Sequence, residues 1–325
     1  MASDALTALT RNLALPVIAA PMFLVSGPEL VIAACRAGII GSFPAPNART
    51  VEALDAWMER MTRALAEDAG AAPWAVNLVV HRSYPRLLEE LELVRRYRPP
   101  LVITALGSPA AVVAAIHDYG GLVFADVNSI AYATKAARAG VDGLILVCAG
   151  AGGHTGMLSP FAFVAAVRDF WDGPIVLAGG IANGRAIRAA RALGADLVYM
   201  GTRLIATHES LASVEYRAML VAATAEDVIA TAAFTGVHAN MLKPSIRRAG
   251  LDPERLKPRE TIDFGDPQGT ARPWKDIWSA GQAVGAIKRV QSVAELVGEL
   301  RAEYDDPSLS AATRRGEPEA ERLLS

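Results

Sequence analysis

The stretch at residues 139–156, AGVDGLILVCAGAGGHTG, indicates the fold of this chain. Gly140 follows an alanine-rich helical segment, where a helix C-cap favours glycine. The apolar run at 143–147 predicts a buried strand, and three glycines surround His154 directly after it. A helix, a glycine turn, a buried strand and a glycine-rich loop form the repeating unit of proteins that alternate helices with parallel strands.

The same unit recurs through the first two thirds of the sequence. Eight apolar runs separated by seven helical segments favour a (β/α)8 barrel, an α/β fold, over an open doubly wound sheet, which also alternates in this way. The predicted strands are Pro16–Ala20, Ile39–Ser42, Ala75–Val79, Leu101–Thr104, Leu122–Asp126, Gly143–Val147, Pro174–Ala178 and Leu197–Met200.

The pattern loosens after Thr202. We expect the barrel to comprise residues 1–207 together with part of the C-terminal region. Residues 208–295, with helical stretches at Glu209–Thr224 and Ala271–Lys288, are expected to form a helical cap over the barrel mouth that contacts substrate. Residues 305–325, rich in Ser, Glu and Arg, are expected to form a flexible tail.

Composition narrows the class of partner. The 325 residues include 32 basic and 34 acidic side chains, a net charge of −2, which argues against a nucleic-acid or membrane partner and favours a small molecule. Cys35 and Cys148 have no metal-ligand spacing, so we expect no metal site and a reduced, cytoplasmic setting. No apolar run reaches the roughly 20 residues that cross a bilayer.

Two glycine-containing strand ends predict a phosphate site. Gly179 and Gly180 end the seventh predicted strand, and Gly201 and Thr202 end the eighth. In barrels of this kind the loops after strands seven and eight hold a ligand phosphate through backbone N–H groups. The Thr202 hydroxyl adds a side-chain donor.

His154 is the candidate catalytic residue. Its glycine neighbours leave the ring accessible, and an imidazole can accept a proton from a carbon acid near neutral pH. No Ser-His-Asp order, HExxH pair or Walker lysine accompanies it, which disfavours hydrolysis and phosphoryl transfer. His117 and His208 are expected at the surface, and His81 and His238 in loops near the mouth.

Several segments, in order along residues 13–210, resemble the FMN-dependent nitronate monooxygenases, formerly called 2-nitropropane dioxygenases. They include PVIAAPM at 16–22, AVNL at 75–78, AGGHTG at 151–156, AGGIANGR at 178–185 and MGTR at 200–203. The resemblance implies an FMN-binding barrel and the oxidation of nitronates or nitroalkanes by O2. It also implies that His154 is the base that deprotonates a nitroalkane.

The resemblance further implies a set of cofactor-binding residues at the barrel mouth. Ala20, Pro21 and Met22 would lie beside the isoalloxazine, Asn77 would bond to flavin or ribityl oxygens, and the glycine pairs would hold the phosphate. Asp126 would bond to a ribityl hydroxyl or oppose negative charge on the reduced ring. The full expected set is Ala20, Pro21, Met22, Asn77, Asp126, Gly152, Gly153, Ala178, Gly179, Gly180, Met200, Gly201 and Thr202.

Two departures from the family pattern keep other functions open. Relatives often carry Gln-Gly-x-Glu where this chain has Val147–Gly150, and a lysine or threonine where it has Asp126. One alternative is an NAD(P)H-dependent FMN quinone reductase or enoyl-thioester reductase. Another is a flavin-free phosphate-binding barrel lyase or isomerase with His154 as proton shuttle. A homodimer is the expected assembly.

Two further groups have open roles. Trp274 and Trp278 either line the substrate cavity or anchor the cap. Lys243, Arg247 and Arg248 either bind an acidic substrate tail or form a solvated face.

Overall fold

The structure, a computed structural model, describes residues 2–259 and 272–308. Its strands are β1 (Val17–Ala19), β2 (Gly41–Pro44), β3 (Trp74–Val79), β4 (Leu101–Ala105), β5 (Leu122–Val127), β6 (Gly143–Val147), β7 (Gly153–His154), β8 (Ile175–Ala178), β9 (Leu197–Met200), β10 (Val228–Thr231) and β11 (Ala239–Leu242). Its α-helices are α1 (Ala2–Thr10), α2 (Pro28–Arg36), α3 (Val51–Ala66), α4 (Leu87–Tyr97), α5 (Ala110–His117), α6 (Ile130–Arg138), α7 (Pro160–Arg168), α8 (Gly184–Leu193), α9 (Thr202–Ile205), α10 (Val214–Ala222), α11 (Lys243–Arg248) and α12 (Val293–Tyr304).

Eight parallel strands form the barrel in the order β1-β9-β8-β6-β5-β4-β3-β2. The barrel closes between β1 and the residue that precedes β2, where Ile18 pairs with Ile40. The Ala19 N–H donates to the Ile40 carbonyl at 2.8 Å, and the Ile40 N–H donates to the Val17 carbonyl at 3.0 Å. Closure confirms the (β/α)8 barrel and excludes the open sheet.

The helices follow the strands because local capping residues start them. The side chains of Thr50, Ser129, Ser159 and Asn183 accept hydrogen bonds from the first turns of α3, α6, α7 and α8. The last helix, α12, packs against α8 and α2 and completes the outer ring. A segment some 90 residues beyond the eighth strand therefore closes the barrel.

The core has an inner and an outer part. Inside the barrel, inward-facing residues such as Ile18, Phe124 and Val176 pack together, and Leu9 of α1 joins them from the bottom of the barrel. The larger outer part lies between strands and helices and includes Phe43, Met58 and Phe163, all fully buried. This alternation of inward and outward side chains fixes which residues reach the mouth.

The segment over the mouth differs from the helical cap expected from the sequence. It contains α10 and α11 but also an antiparallel pair, β10 and β11, to which β7 adds a third strand. The predicted helix at Ala271–Lys288 is wrong for the residues described, because 272–281 form turns and bridges and only Gln282–Ala286 form a 3-10 helix. Pro273, Gly281 and Gly285 interrupt any longer helix there.

Two further expectations concern the chain ends and membranes. The tail expected at 305–325 lies, from residue 309 onward, outside the described residues. Across 2–259 and 272–308, no helix has both the length and the apolar character needed to cross a bilayer.

Candidate functional site

The residues predicted to hold a cofactor lie at or beside the carboxyl ends of the barrel strands. Strand register and the one-residue stagger of this barrel type place the inward side chains of Ala20, Asn77, Asp126 and Ala178 at one level, each from an alternate strand. The level below consists of Ser42, Ile103, Ile145 and Tyr199. Two methyl groups and two polar side chains thus form the floor of the mouth.

The loop that carries His154 is held by the segment over the mouth. Ala239 and Asn240 of β11 pair with His154 and Gly153, and the Thr155 N–H donates to the His238 carbonyl at 3.0 Å. The Asn240 Nδ2 donates to the Ala151 carbonyl at 2.7 Å. The catalytic candidate is therefore positioned by residues more than 80 positions later in the chain.

A second clamp on the loop comes from residues 279–281. The Gly153 N–H donates to Ser279 Oγ at 2.6 Å, and the Gly281 N–H donates to Thr202 Oγ1 at 2.9 Å. A Cβ on Gly152 would lie 2.8 Å from the Gly281 nitrogen, so only glycine permits this approach. Residues 279–281, Ser-Ala-Gly, therefore join the histidine loop to the start of α9, just after β9.

His154 lies in a protected pocket. Its ring meets the Trp274 ring edge-on, with centroids 5.3 Å apart, and its Nε2 lies 3.4 Å from Thr235 Oγ1. Burial lowers the pKa of His154 to about 4. The imidazole is therefore neutral at physiological pH and has the protonation state of a base.

Trp274 adopts a backbone conformation that is unusual for a bulky residue. Its φ is +68°, in the left-handed region that favours glycine. A tight turn holds it there, since the Trp274 N–H donates to the Ile277 carbonyl at 2.9 Å and Arg272 pairs with Asp276. Backbone strain of this kind is frequent at ligand sites.

The two glycines at the predicted phosphate end have different surroundings. Gly179 and Gly180 have φ values of +121° and +71°. A Cβ on Gly179 would lie 2.9 Å from the Ala149 carbonyl oxygen, whereas a Cβ on Gly180 would meet nothing within 4 Å. The Thr202 hydroxyl accepts from Gly281, which leaves its proton for another acceptor. Gly201 faces Met22, whose Sδ would lie 3.2 Å from an added Cβ.

Sequence patterns missed the residue that shapes the loop after β1. Asn47 donates to the carbonyls of Met22 and Ser26 at 2.9 and 2.8 Å and accepts from the Leu24 N–H at 2.8 Å. Its buried side chain replaces the backbone partners that this irregular loop lacks. A lone Asn after β2 has no motif that would reveal the role, and the same holds for Thr235 and Asn240.

The tryptophans and the basic cluster have different surroundings. Trp278 is buried, stacks on Tyr216 at 4.8 Å and lies under the Arg248 guanidinium at 3.5 Å. Lys243 pairs with Glu254 at 3.6 Å. Trp278 therefore packs within the cap, Trp274 contacts His154, and two members of the basic cluster have internal partners.

The side chains of the other histidines have different surroundings. His117 pairs with Asp142 at 2.8 Å at the opposite end of β5, His208 is exposed, and His81 bonds to Ser83 at 2.7 Å. His238 contributes its backbone carbonyl to the histidine loop. Within the described ranges, no group of three or more His, Cys, Asp or Glu side chains could hold a metal ion.

A cavity of about 300 Å³ beside α8, α9 and α12 does not include any of the predicted site residues. Its charged side chains pair with each other, since Glu299 lies 2.8 Å from Arg289 and 3.7 Å from Arg203. This cavity belongs to the joint between α12 and the barrel.

Comparisons with known proteins identify the family of this chain. The family model "Nitronate monooxygenase" matches residues 5–303. A nitronate monooxygenase of Paraburkholderia phytofirmans is 30% identical over 89% of this chain and 92% of its own length. An octahydroindene-carboxyl-CoA dehydrogenase of Rhodococcus jostii is 32% identical over 63% of this chain and 56% of its own.

The fold is shared with a solved structure described as a nitroalkane oxidase from Streptomyces ansochromogenes. That structure superposes with a TM-score of 0.77 at 24% identity, over 94% of this chain and 99% of that one. Nitronate monooxygenases are flavin enzymes that use a barrel of this kind. This chain belongs to the nitronate monooxygenase family and is an oxidoreductase of that type.

Proposed function

We propose that this protein binds FMN across the barrel mouth and oxidises nitronates or nitroalkanes with O2, with His154 as the base. The observation that carries the proposal is the neutral His154 on β7, in the loop that follows β6 at a barrel mouth whose floor and phosphate end both suit a flavin. When bound, FMN supplies the electron acceptor. The residues of the chain bind it, exclude water and move the substrate proton.

The mouth fits a flavin in three respects. Ala20 and Ala178 contribute small apolar side chains to the floor, against which a ring system can lie. Asp126 Oδ1 is buried and has no hydrogen-bond partner in the described part of the chain, which leaves a polar atom for the cofactor. The backbone at Gly180 has open space beside it, and positive φ values at Gly179 and Gly180 suit a turn that binds a phosphate.

His154 has the surroundings of a base for a carbon acid. The neutral Nε2 faces Thr235, and Trp274 covers the ring edge and limits contact with water. A nitroalkane that gives its Cα proton to Nε2 becomes an anion beside the imidazolium that forms. The negative charge of the substrate anion stabilises the imidazolium. His154 is therefore a stronger base with the substrate bound than its low pKa in the empty pocket indicates.

The loop that leads to His154 lacks two polar side chains that many relatives have. Val147 stands where they have Gln, and Gly150 stands where they have Glu, so the lining that this loop offers a substrate is less polar. A nitronate with an alkyl substituent matches this lining better than one with a charged substituent. We therefore propose alkyl nitronates as the substrate class.

The test begins with the purified yellow protein, whose extracted cofactor is identified by chromatography against FMN and FAD standards. O2 consumption is then measured with an alkyl nitronate and with the matching nitroalkane. His154→Ala should retain the flavin and lose about 100- to 10,000-fold in kcat with the nitroalkane. His208→Ala, at an exposed histidine, is the matched control and should keep full activity.

Two results would overturn this proposal. One is a preparation that binds no flavin, and the other is full nitroalkane activity in His154→Ala. A smaller loss with the preformed nitronate than with the nitroalkane would support the base assignment, since the nitronate has already released its proton.

A second candidate rests on the relative from Rhodococcus jostii, named as a dehydrogenase of a carboxyl-CoA compound. It predicts an enoyl-thioester or related CoA-thioester oxidoreductase that uses NAD(P)H or another donor on the same site. Consumption of NADH or NADPH with an enoyl-thioester, without any nitronate, would favour this candidate over the first.

A further inference from the structure

Two buried polar atoms inside the barrel have no hydrogen-bond partner within the described part of the chain: Asp126 Oδ1 and the Tyr199 hydroxyl. A buried polar group without a hydrogen-bond partner is unfavourable, because it has lost its bonds to water without replacement. Two such groups on inward-facing positions of one barrel indicate that a ligand atom or a proton normally satisfies them.

Their position places both groups beneath the mouth. Asp126 belongs to the level formed with Ala20, Asn77 and Ala178, and Tyr199 belongs to the level directly below. Asn77 Nδ2 already donates to the Ile103 carbonyl at 3.3 Å, and the Ser42 hydroxyl donates to the Ala19 carbonyl.

Among the residues that the structure describes, the elements packed around Asp126 place no cation beside it. The neighbouring strands β4 and β6 carry no titratable side chain. The charged residues of α5 and α6, which pack outside β5, are His117, Lys135 and Arg138, and all three lie on the exposed outer surface. His154, above the mouth, rests against Trp274 and Thr235.

Burial is therefore the largest influence on the pKa of both groups. It raises the pKa of Asp126 to about 7. It also raises the pKa of Tyr199, and the negative charge of Asp126 raises it further. The two groups thus interact, and the carboxyl changes charge in the physiological range while the phenol stays protonated.

We propose that Asp126, with Tyr199 beside it, is a proton site of the barrel floor that takes up one proton when a flavin bound above it is reduced. The inference rests on the proposed function, because it requires a flavin at the mouth. Two electrons come from the donor, either the carbanion substrate or a chemical reductant. They leave negative charge on the flavin, and this charge favours the neutral carboxyl.

The balance involves one O–H bond. The carboxylate oxygen of Asp126 accepts a proton from water at the mouth, where the residue is partly exposed, and releases it when the flavin is oxidised. Reduction then consumes one proton more than the flavin alone takes up. This extra uptake occurs between the pKa of Asp126 in the oxidised state and its higher pKa in the reduced state.

The test measures the flavin midpoint potential against pH from 6 to 9, by spectroscopic titration of the flavin-loaded protein. Between the two pKa values of Asp126, the plot of wild-type midpoint potential against pH should have a steep segment. Its slope there should correspond to one more proton per two electrons than at lower or higher pH. Asp126→Asn should lack the steep segment. Asp118→Asn, which removes an exposed carboxylate, should keep it.

Tyr199→Phe tests the second member of the pair. Removal of a hydroxyl that can donate to the carboxylate should move the steep segment to higher pH. If the midpoint potentials of wild type and Tyr199→Phe depend on pH in the same way, Tyr199 has no part in the proton site. If those of wild type and Asp126→Asn do so, the proposed proton site is overturned.

An infrared measurement on wild type covers the case in which Asp126→Asn does not fold. The reduced-minus-oxidised difference spectrum near pH 7.5 should gain the C=O band of a protonated carboxylic acid. A spectrum without that band, from protein with a full complement of flavin, would overturn the proton site and leave the proposed function standing. Absence of flavin would instead overturn the proposed function.

Discussion

Asp126 and His154 lie at the same barrel mouth, but they reach it by different routes. Asp126 is placed by the register of β5 within a regular barrel, whereas His154 is placed by side-chain and backbone bonds from the segment over the mouth. Burial shifts the pKa of both toward the neutral form, upward for the carboxyl and downward for the imidazole. The barrel therefore holds a carboxyl group, Asp126, that can lose its proton near neutral pH. The segment over the mouth holds an imidazole, His154, that is already neutral there.

The largest expected effect concerns the pH dependence of stability. The unfolded His154 binds a proton below about pH 6.5 while the folded one binds it only below about 4, so stability rises with pH in that window. For Asp126 the folded carboxyl keeps its proton up to about pH 7 and the unfolded one loses it near 3.9, so stability falls with rising pH. The two slopes oppose each other.

Single variants separate the two slopes. Relative to wild type, Asp126→Asn should make the unfolding free energy rise more steeply from pH 4.5 to 6.5, by roughly 1.4 kcal/mol per pH unit. His154→Gln should change the slope by a similar amount in the opposite direction. Urea unfolding at a series of pH values measures both, and changes of the same sign in the two variants would contradict this account.

The next effect concerns the contacts that hold each side of the mouth. Asn240→Ala leaves the Ala151 carbonyl without its donor and should cost about 1–3 kcal/mol of stability, with a lower kcat because the histidine loop is released. Asn77→Ala removes a longer bond, 3.3 Å to Ile103, inside the barrel. It should change flavin affinity more than kcat. Chemical unfolding, flavin titration and steady-state kinetics distinguish the two patterns.

The sequence predicted the barrel but not these cap contacts, for a physical reason. Strand positions such as 143–147 follow from local apolar runs and glycine turns, and the inward position of Asp126 follows from alternation along β5. By contrast, Asn240, Ser279 and Thr235 act through partners 80 or more residues away, and no local pattern encodes such a bond. The helix expected at 271–288 failed because tertiary bonds and Pro273 override its apolar spacing.

A smaller effect is expected at Trp274, which belongs to the cap side. Trp274→Ala should admit water to His154 and raise its pKa from about 4 toward the ordinary 6.5. Trp274→Phe should keep most of the shift because an apolar ring still covers the histidine. An NMR titration of the His154 ring protons measures this, and an unchanged pKa in Trp274→Ala would mean that other groups bury the imidazole.

The smallest effect tests whether α12 is an integral part of the barrel. Gly298 lies on the exposed face of α12, and a Cβ there would meet nothing within 4 Å. Gly298→Ala should therefore stabilise the fold by about 0.5–1 kcal/mol without affecting activity.

Gly184→Ala is the matched opposite, since its Cβ would lie 2.3 Å from the Tyr304 nitrogen and 2.4 Å from the Leu300 carbonyl oxygen. It should force α8 away from α12 and lower the melting temperature. Because α12 completes the outer ring of helices, we expect the Gly184→Ala protein to retain less flavin as well. A lower melting temperature with unchanged flavin binding would show instead that the effect is confined to the contact between α8 and α12.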